Sequence, residues 1–149
     1  MEEYIMTIDE GTTSARAVLF NKDSEIIAIC AKEFAQYYPQ PGWVEQDPKE
    51  IWLTTKEVIN RVVLQAGIDP RQIKAAGITN QRETVVVYDK NTGEPVYNAI
   101  GWADRRTAPY CDELKAAGKE QMFIDKTGLP IDGYFFGIEI KWIVDTVPA

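Results

Sequence analysis

Residues 47–67 constrain this chain more than any other stretch. Asp47 can cap a helix, Pro48 suits the first helical position, and Glu50 completes a capping box. Ile51, Trp52, Thr55, Val58, Ile59, Val62, Val63 and Ala66 then recur at helical spacing, giving one apolar face, and Gly67 supplies a stop. Such a helix must bury its stripe against another layer. Residues 4–8, 16–20 and 26–34 read as strands joined by tight turns, an antiparallel meander that can form this layer. Pro39, Pro41 and Gly42 make the intervening stretch a loop. Beyond the helix, residues 73–79 read as a buried-type strand, 84–88 as a second rich in β-branched residues, and 99–102 as a third. The turn Asn91-Thr92-Gly93 separates the last two. Helices are expected over 108–117, ended by Gly118, over 120–126, and from about Gly137 onward, where Ile138, Ile140, Trp142 and Ile143 are apolar. This order predicts an α/β or α+β layered domain. No repeat, low-complexity tract or internal linker interrupts it.

Length and composition remove several function classes. At 149 residues the chain is about one domain long. No apolar run approaches the roughly 20 residues of a membrane span. The start Met1-Glu2-Glu3 is acidic, against a secretory leader. Cys30 and Cys111 form no C-x-x-C and read as reduced thiols, so a cytoplasmic protein is expected. A net charge of −7 argues against a nucleic-acid partner. It leaves room for ATP, because backbone amides and a metal can bind phosphate in an acidic protein. The chain has no histidine, which closes Ser-His, Cys-His and His-metal mechanisms to it. Acid–base work falls to carboxylates, lysine or tyrosine.

Four clusters are site-like. Asp9-Glu10-Gly11-Thr12-Thr13-Ser14-Ala15-Arg16 lies between two strands, where amides and hydroxyls can point at a phosphate and an aspartate can hold the water shell of Mg²⁺. By composition it also reads as an ordinary hairpin turn, for which Gly, Thr and Ser are common. Asn80-Gln81-Arg82-Glu83 offers donors and acceptors suited to a polyol, or is a solvated turn with a weak ion pair. In Trp102-Ala103-Asp104-Arg105-Arg106-Thr107 the tryptophan can wall a small ligand or sit in the core, while Asp104 and the arginines can anchor the next helix. Gly133-Tyr134-Phe135-Phe136-Gly137 can line a pocket, with the Tyr134 hydroxyl as polar handle, or simply pack on the sheet. Neither the Walker pattern nor G-x-G-x-x-G occurs.

In this order, the first cluster, Pro41-Gly42-Trp43-Val44-Glu45-Gln46-Asp47-Pro48, Gly77-Ile78-Thr79-Asn80-Gln81-Arg82-Glu83-Thr84, Gly93-Glu94-Pro95-Val96-Tyr97-Asn98-Ala99-Ile100 and the segment from Trp102 to Thr107 resemble the glycerol kinases of the FGGY carbohydrate-kinase family. The resemblance runs over essentially the whole chain. It implies a partial α/β, ribonuclease H-like domain of the actin, Hsp70 and hexokinase type, a mixed sheet with flanking helices, with residues 1–149 as the N-terminal, glycerol-binding part of the kinase's first domain. It implies ATP-dependent phosphorylation of glycerol to glycerol 3-phosphate, with Mg²⁺. By position it puts Asp9, Thr12, Thr13, Ser14 and Arg16 near the ATP phosphates, Asp9 reaching Mg²⁺ through water. It puts Arg82, Glu83, Trp102 and Tyr134 around glycerol. The family's catalytic aspartate and its adenosine-binding domain lie beyond residue 149, so no catalytic residue is expected in this chain and no turnover from it alone.

Two departures stand out. Glu10 replaces the family's usual glutamine, an added negative charge near a triphosphate. Phe136-Gly137-Ile138-Glu139 replaces its usual Ser, small residue, Thr, Lys. The ending Val147-Pro148-Ala149 follows an apolar helix with no polar tail, as in a fragment. Two other readings are a sister kinase for another polyol or sugar, and a non-enzymatic interaction module made from a degenerate kinase half. An apolar face left by a missing C-terminal part would favour homo-oligomers or association with that part.

Overall fold

A computed structural model describes residues 2–148; Met1 and Ala149, and with them the two ends of the sequence reading, lie outside the described residues. In chain order the elements are β1 (Tyr4–Glu10), β2 (Ser14–Asn21), β3 (Ile26–Glu33), β4 (Glu45–Gln46), α1 (Pro48–Ala66), a 3-10 turn (Pro70–Gln72), β5 (Ile73–Thr79), β6 (Ala99–Ile100), α2 (Ala108–Ala116), α3 (Glu120–Thr127) and α4 (Phe136–Thr146). They form two compact units. One holds the chain up to Ala35 together with Asp47–Gln81; the other holds Gln36–Gln46 and the chain from Arg82 on.

The first unit is a four-stranded sheet, in the order β3-β2-β1-β5, with α1 on one face. The meander is antiparallel, as expected, and β5 adds parallel to β1 across the α1 connection. Side chains alternate, so Tyr4, Met6 and Ile8 of β1 and Ala15, Ala17 and Leu19 of β2 meet Val58 and Val62 of α1. Both valines are fully buried, each contributing about 1.5–3 kcal/mol. The Asp47 carboxylate accepts from Lys49 N at 2.8 Å, and Gly67 ends the helix at φ 64°, its N–H on Leu64 O. The carboxylate of Glu50, expected to close a capping box, takes the Ala35 N–H at 3.1 Å.

Two expectations fail here. Trp52, placed on the apolar face by its spacing, is 60% exposed with the Lys56 ammonium 5.1 Å from its ring. It sits at the margin of a stripe centred on Thr54, Val58 and Val62. The strand at Ile73–Thr79 forms as expected, but it is exposed along most of its length. It is the sheet's edge, and α1 lies over β2 and β3.

The second unit is built around charge. The Arg106 side chain is fully buried; its Nε and Nη2 bind Asp104 at 3.0 and 2.8 Å, and Nη2 also reaches Glu45 Oε1 at 2.9 Å. Its guanidinium carbon lies 3.8 Å from the Trp43 ring centroid and 4.6 Å from that of Trp142. Tyr97 Oη and Asn98 Nδ2 donate to Glu45, and Val44 N donates to Asp104 Oδ2 at 2.6 Å. A planar fork with two faces serves this site as a lysine ammonium could not. Beside it pack Val85, Ile100 and Ile143.

Regular strand is scarce in this unit. The strand expected at 84–88 reduces to isolated bridges, Val85 with Ile100 and Tyr88 with Pro95. The one expected at 99–102 ends at Ile100, because Gly101 N turns to Val44 O and Asp104 N closes on Gly101 O. The pair β4–β6, whose first strand lies in the Pro- and Gly-rich loop, was not expected. The three helices form within two residues of their predicted bounds.

Replacing Arg106 by alanine leaves Glu45 and Asp104 buried without their cation. Urea unfolding should show a loss of about 3–5 kcal/mol. Arg106→Lys should recover only a minor part of it, since an ammonium cannot make the fork.

Candidate functional site

The residues singled out in the sequence fall into two sets, one in each unit. In the first unit, Asp9 and Arg16 stand directly opposite each other on β1 and β2, and their side chains form an ion pair. Thr79 of β5 flanks Asp9 on the other side. Both carboxylate and guanidinium remain partly exposed, on the sheet face away from α1, where Thr7, Asp9, Arg16, Gly77 and Thr79 line a groove of about 430 Å³. The turn itself is shorter than expected: Asp9 and Glu10 belong to β1 and Ser14 to β2. Gly11 donates its N–H to Ser14 O at 2.9 Å, and a β-carbon on Gly11 would lie 3.1 Å from that same oxygen. Phe34 N donates to Thr13 O, which ties β3 to the turn. Thr13 is exposed, with Thr12 and Ser14 half-buried beside it.

Glu10 follows the alternation to the opposite face. Its Oε1 accepts from Thr55 Oγ1 of α1 at 2.8 Å, and its Oε2 is buried without a partner. Burial pushes the carboxyl up from its ordinary range, although the Thr55 hydrogen bond opposes this and Asp9 adds to it. The extra carboxyl therefore points at α1, away from the sheet face that carries Asp9 and Arg16.

The second unit assembles the other set. Glu83 has φ 70°, in the left-handed region that a glutamate rarely adopts. Its Oε2 accepts the N–H of Phe136 at 3.1 Å. Phe136 opens α4, and Phe135 before it provides no side-chain cap. Glu83 thus caps α4 from 53 residues away, with its negative charge at the positive end of the helix. Arg82 is exposed beside it. The Trp102 and Tyr134 rings meet edge-on, centroids 6.0 Å apart, and Trp102 N donates to Thr84 Oγ1. Tyr134 N is held by Asp132 Oδ1 at 2.8 Å, and Phe135 packs edge-on against the Tyr134 ring. A β-carbon at Gly133 would lie 2.7 Å from Thr107 Oγ1, so any side chain there would have to displace that buried hydroxyl. Next to Glu83 an apolar cavity of about 390 Å³ is lined by Phe123, Leu129, Ile131, Phe135 and Phe136. The arginines of the 102–107 segment divide. Arg105 makes an exposed pair with Asp132, while Arg106 is the buried centre of the unit.

The sequence profile of the FGGY family of carbohydrate kinases, N-terminal domain, matches residues 4–149. This chain belongs to the FGGY family. It is 57% identical over 148 residues to a glycerol kinase of Chromobacterium violaceum, covering 99% of this chain and 30% of that protein. Among solved structures it is similar to the Plasmodium falciparum glycerol kinase with ADP, at a TM-score of 0.90 and 30% identity, over 99% of this chain and 29% of that one. It is also similar to a gluconate kinase from Lactobacillus acidophilus, at a TM-score of 0.89 and 25% identity, over 98% and 29%. The expected α/β, ribonuclease H-like class, with its mixed sheet and flanking helices, is the FGGY fold. The chain spans about 30% of the length of the relatives it matches. No helix among the described residues is long and apolar enough to cross a membrane.

Glu83→Ala removes the cap of α4. It should cost about 1 kcal/mol and speed amide exchange at Phe136, measured by hydrogen exchange, whereas Glu83→Gln should keep most of the protection.

Proposed function

We propose that this chain is the N-terminal part of a cytoplasmic, ATP-dependent glycerol kinase, converting glycerol to glycerol 3-phosphate. The observation that carries the reading is the grouping of Glu83, Trp102 and Tyr134 in one unit: a strained carboxylate acceptor next to an aromatic corner. A polyol offers hydroxyls to accept and donate hydrogen bonds and a carbon backbone to lie on a ring. Arg82 and Glu83 take adjacent hydroxyls, Trp102 packs on the carbons, and the Tyr134 hydroxyl completes the pocket. The similarity to glycerol kinases supports glycerol over a larger sugar.

Asp9, Thr12, Thr13, Ser14 and Arg16 are the phosphate-facing set. A lone half-exposed carboxylate fits Mg²⁺, which keeps several waters and takes its other ligands from substrate phosphates. No group of three or more acidic or thiol ligands occurs among the described residues. Asp9 would hold the hydrated ion, which neutralises phosphate charge when bound. Arg16, its partner in the ion pair, supplies a second positive charge on that face. Phosphoryl transfer is largely positioning and charge stabilisation, and the proton acceptor is supplied by the C-terminal part of the kinase.

The chain alone, with glycerol, Mg²⁺ and labelled ATP, should form no glycerol 3-phosphate. Mixed with the C-terminal remainder of a glycerol kinase relative, it should. In that mixture Arg82→Ala should lower kcat/KM by about 10- to 100-fold, the loss of one or two charged hydrogen bonds. Product from the chain alone would mean that a base lies within these residues. Faster turnover of a pentulose would assign the protein to a sister kinase, and a folded, inactive mixture would favour an interaction module.

A further inference from the structure

Glu139 lies in the first turn of α4, is 0% exposed, and neither carboxylate oxygen meets a hydrogen-bond donor among the described residues. The charged groups facing it come from two other segments: Asp104 and Arg106 from the loop before α2, and Glu83 from the loop after β5. On its own helix Lys141 is already paired with Asp145. Among the described residues Arg106 is the one cation facing it, and its hydrogen bonds go to Asp104 and Glu45. The remaining nitrogen, Nη1, is buried and unpartnered, so it makes no hydrogen bond to Glu139.

A charge on Glu139 would gain a little from the helix dipole. Against that stand desolvation without a partner and repulsion from two carboxylates, and these outweigh the gain. A neutral carboxyl escapes both. The same turn of helix carries the Phe136 N–H that Glu83 accepts. The two carboxyl groups therefore bracket one turn, one binding its amide and the other buried behind it.

We propose that Glu139 is a positioning residue that keeps the first turn of α4 seated on Glu83 only while it is uncharged, so that the Glu83 site loosens as the solution turns alkaline. As a statement about polyol binding this rests on the reading given above; as a statement about α4 it does not. Burial first, then Asp104 and Glu83, push the Glu139 carboxyl up to about 9, against the pull of Arg106. The sign follows from linkage. Below the ordinary carboxylate range folded and unfolded chains both hold the proton. Between that range and about pH 9 only the folded chain holds it, so stability falls with rising pH. The limiting slope is about tenfold in the folding constant per pH unit. Above about 9 the folded chain ionises too, and the turn carries the charge.

Trp142 on α4, edge-on to Trp43 and Tyr97, is a built-in reporter. The test is a pH titration of the whole chain, following the Glu139 carboxyl carbon by NMR and the tryptophans by near-ultraviolet circular dichroism. The expected result is a Glu139 midpoint near 9, with the tryptophan signal changing over the same range. In Glu139→Gln that change should vanish, and its denaturant midpoint should exceed the parent's by a margin that grows from pH 5 to pH 9. Glu139 titrating with ordinary carboxylates, or an unchanged transition in Glu139→Gln, would overturn the proposal. Should Glu139→Gln not fold, the parent's carbon titration decides alone, and Glu83→Gln should move its midpoint down. Glycerol added at pH 7 and pH 10 separates the two readings. Alkaline loss of binding by about tenfold in the parent and not in Glu139→Gln supports both. A Glu139 midpoint near 9 with no glycerol binding at either pH supports the α4 proposal and counts against the polyol reading.

Discussion

The second unit depends on one buried guanidinium. Arg106 joins Glu45 of β4 to Asp104 from the loop before α2, and carries an aromatic ring from each of Trp43, Tyr97 and Trp142 on or near its faces. Among its described residues this unit has a two-stranded pair, isolated bridges and three short helices, so its ladder of backbone hydrogen bonds is too short to set its shape alone. The ion network does it instead. Such networks gain little over well-packed hydrophobic residues, yet breaking one is costly because the remaining charges are stranded. Here the network also determines local geometry: Asp104 holds Val44 N, and Glu45 holds Tyr97 and Asn98.

The site-like residues inherit that order. Trp102 sits two residues before Asp104, and α4 packs against the network through Trp142. Glu83 is then tied to α4 by its own carboxylate, at the cost of a left-handed backbone. Strain of this kind persists only where the surroundings over-determine it. The first unit solves the same problem differently. Its sheet register sets Asp9 against Arg16, and strand alternation sends Glu10 to α1. One unit positions charge by ladder, the other by buried ion pairs.

Much of this was legible in the residue order. The meander, α1 with its Asp47 cap and Gly67 stop, and all three later helices follow from periodicity and capping, which act within a few residues. The candidate residues were legible only through family resemblance, because Arg82-Glu83 and Gly133-Tyr134 look like ordinary turns by composition. What escaped was non-local. The strand β4 is two residues long inside a Pro- and Gly-rich loop and owes its existence to Ala99 and Ile100 far along the chain. The exposure of β5 depends on which strands α1 covers, and that of Trp52 on where the stripe is centred. Arg106 looked like a helix anchor and is the buried hub, its partner Glu45 standing 61 positions away.

By itself, then, the sequence determined the local elements and the family to which the chain belongs. Those are properties of short windows, or of residue identity in order. The tertiary structure alone decided which of two adjacent arginines is buried, that Glu83 caps a distant helix, that Glu10 turns away from Asp9, and that the Glu139 carboxyl meets no hydrogen-bond donor among the described residues. Each of these is a matter of burial and of contact across tens of residues. Desolvation, which sets the energetic weight of a charge, exists only once the chain has folded around it.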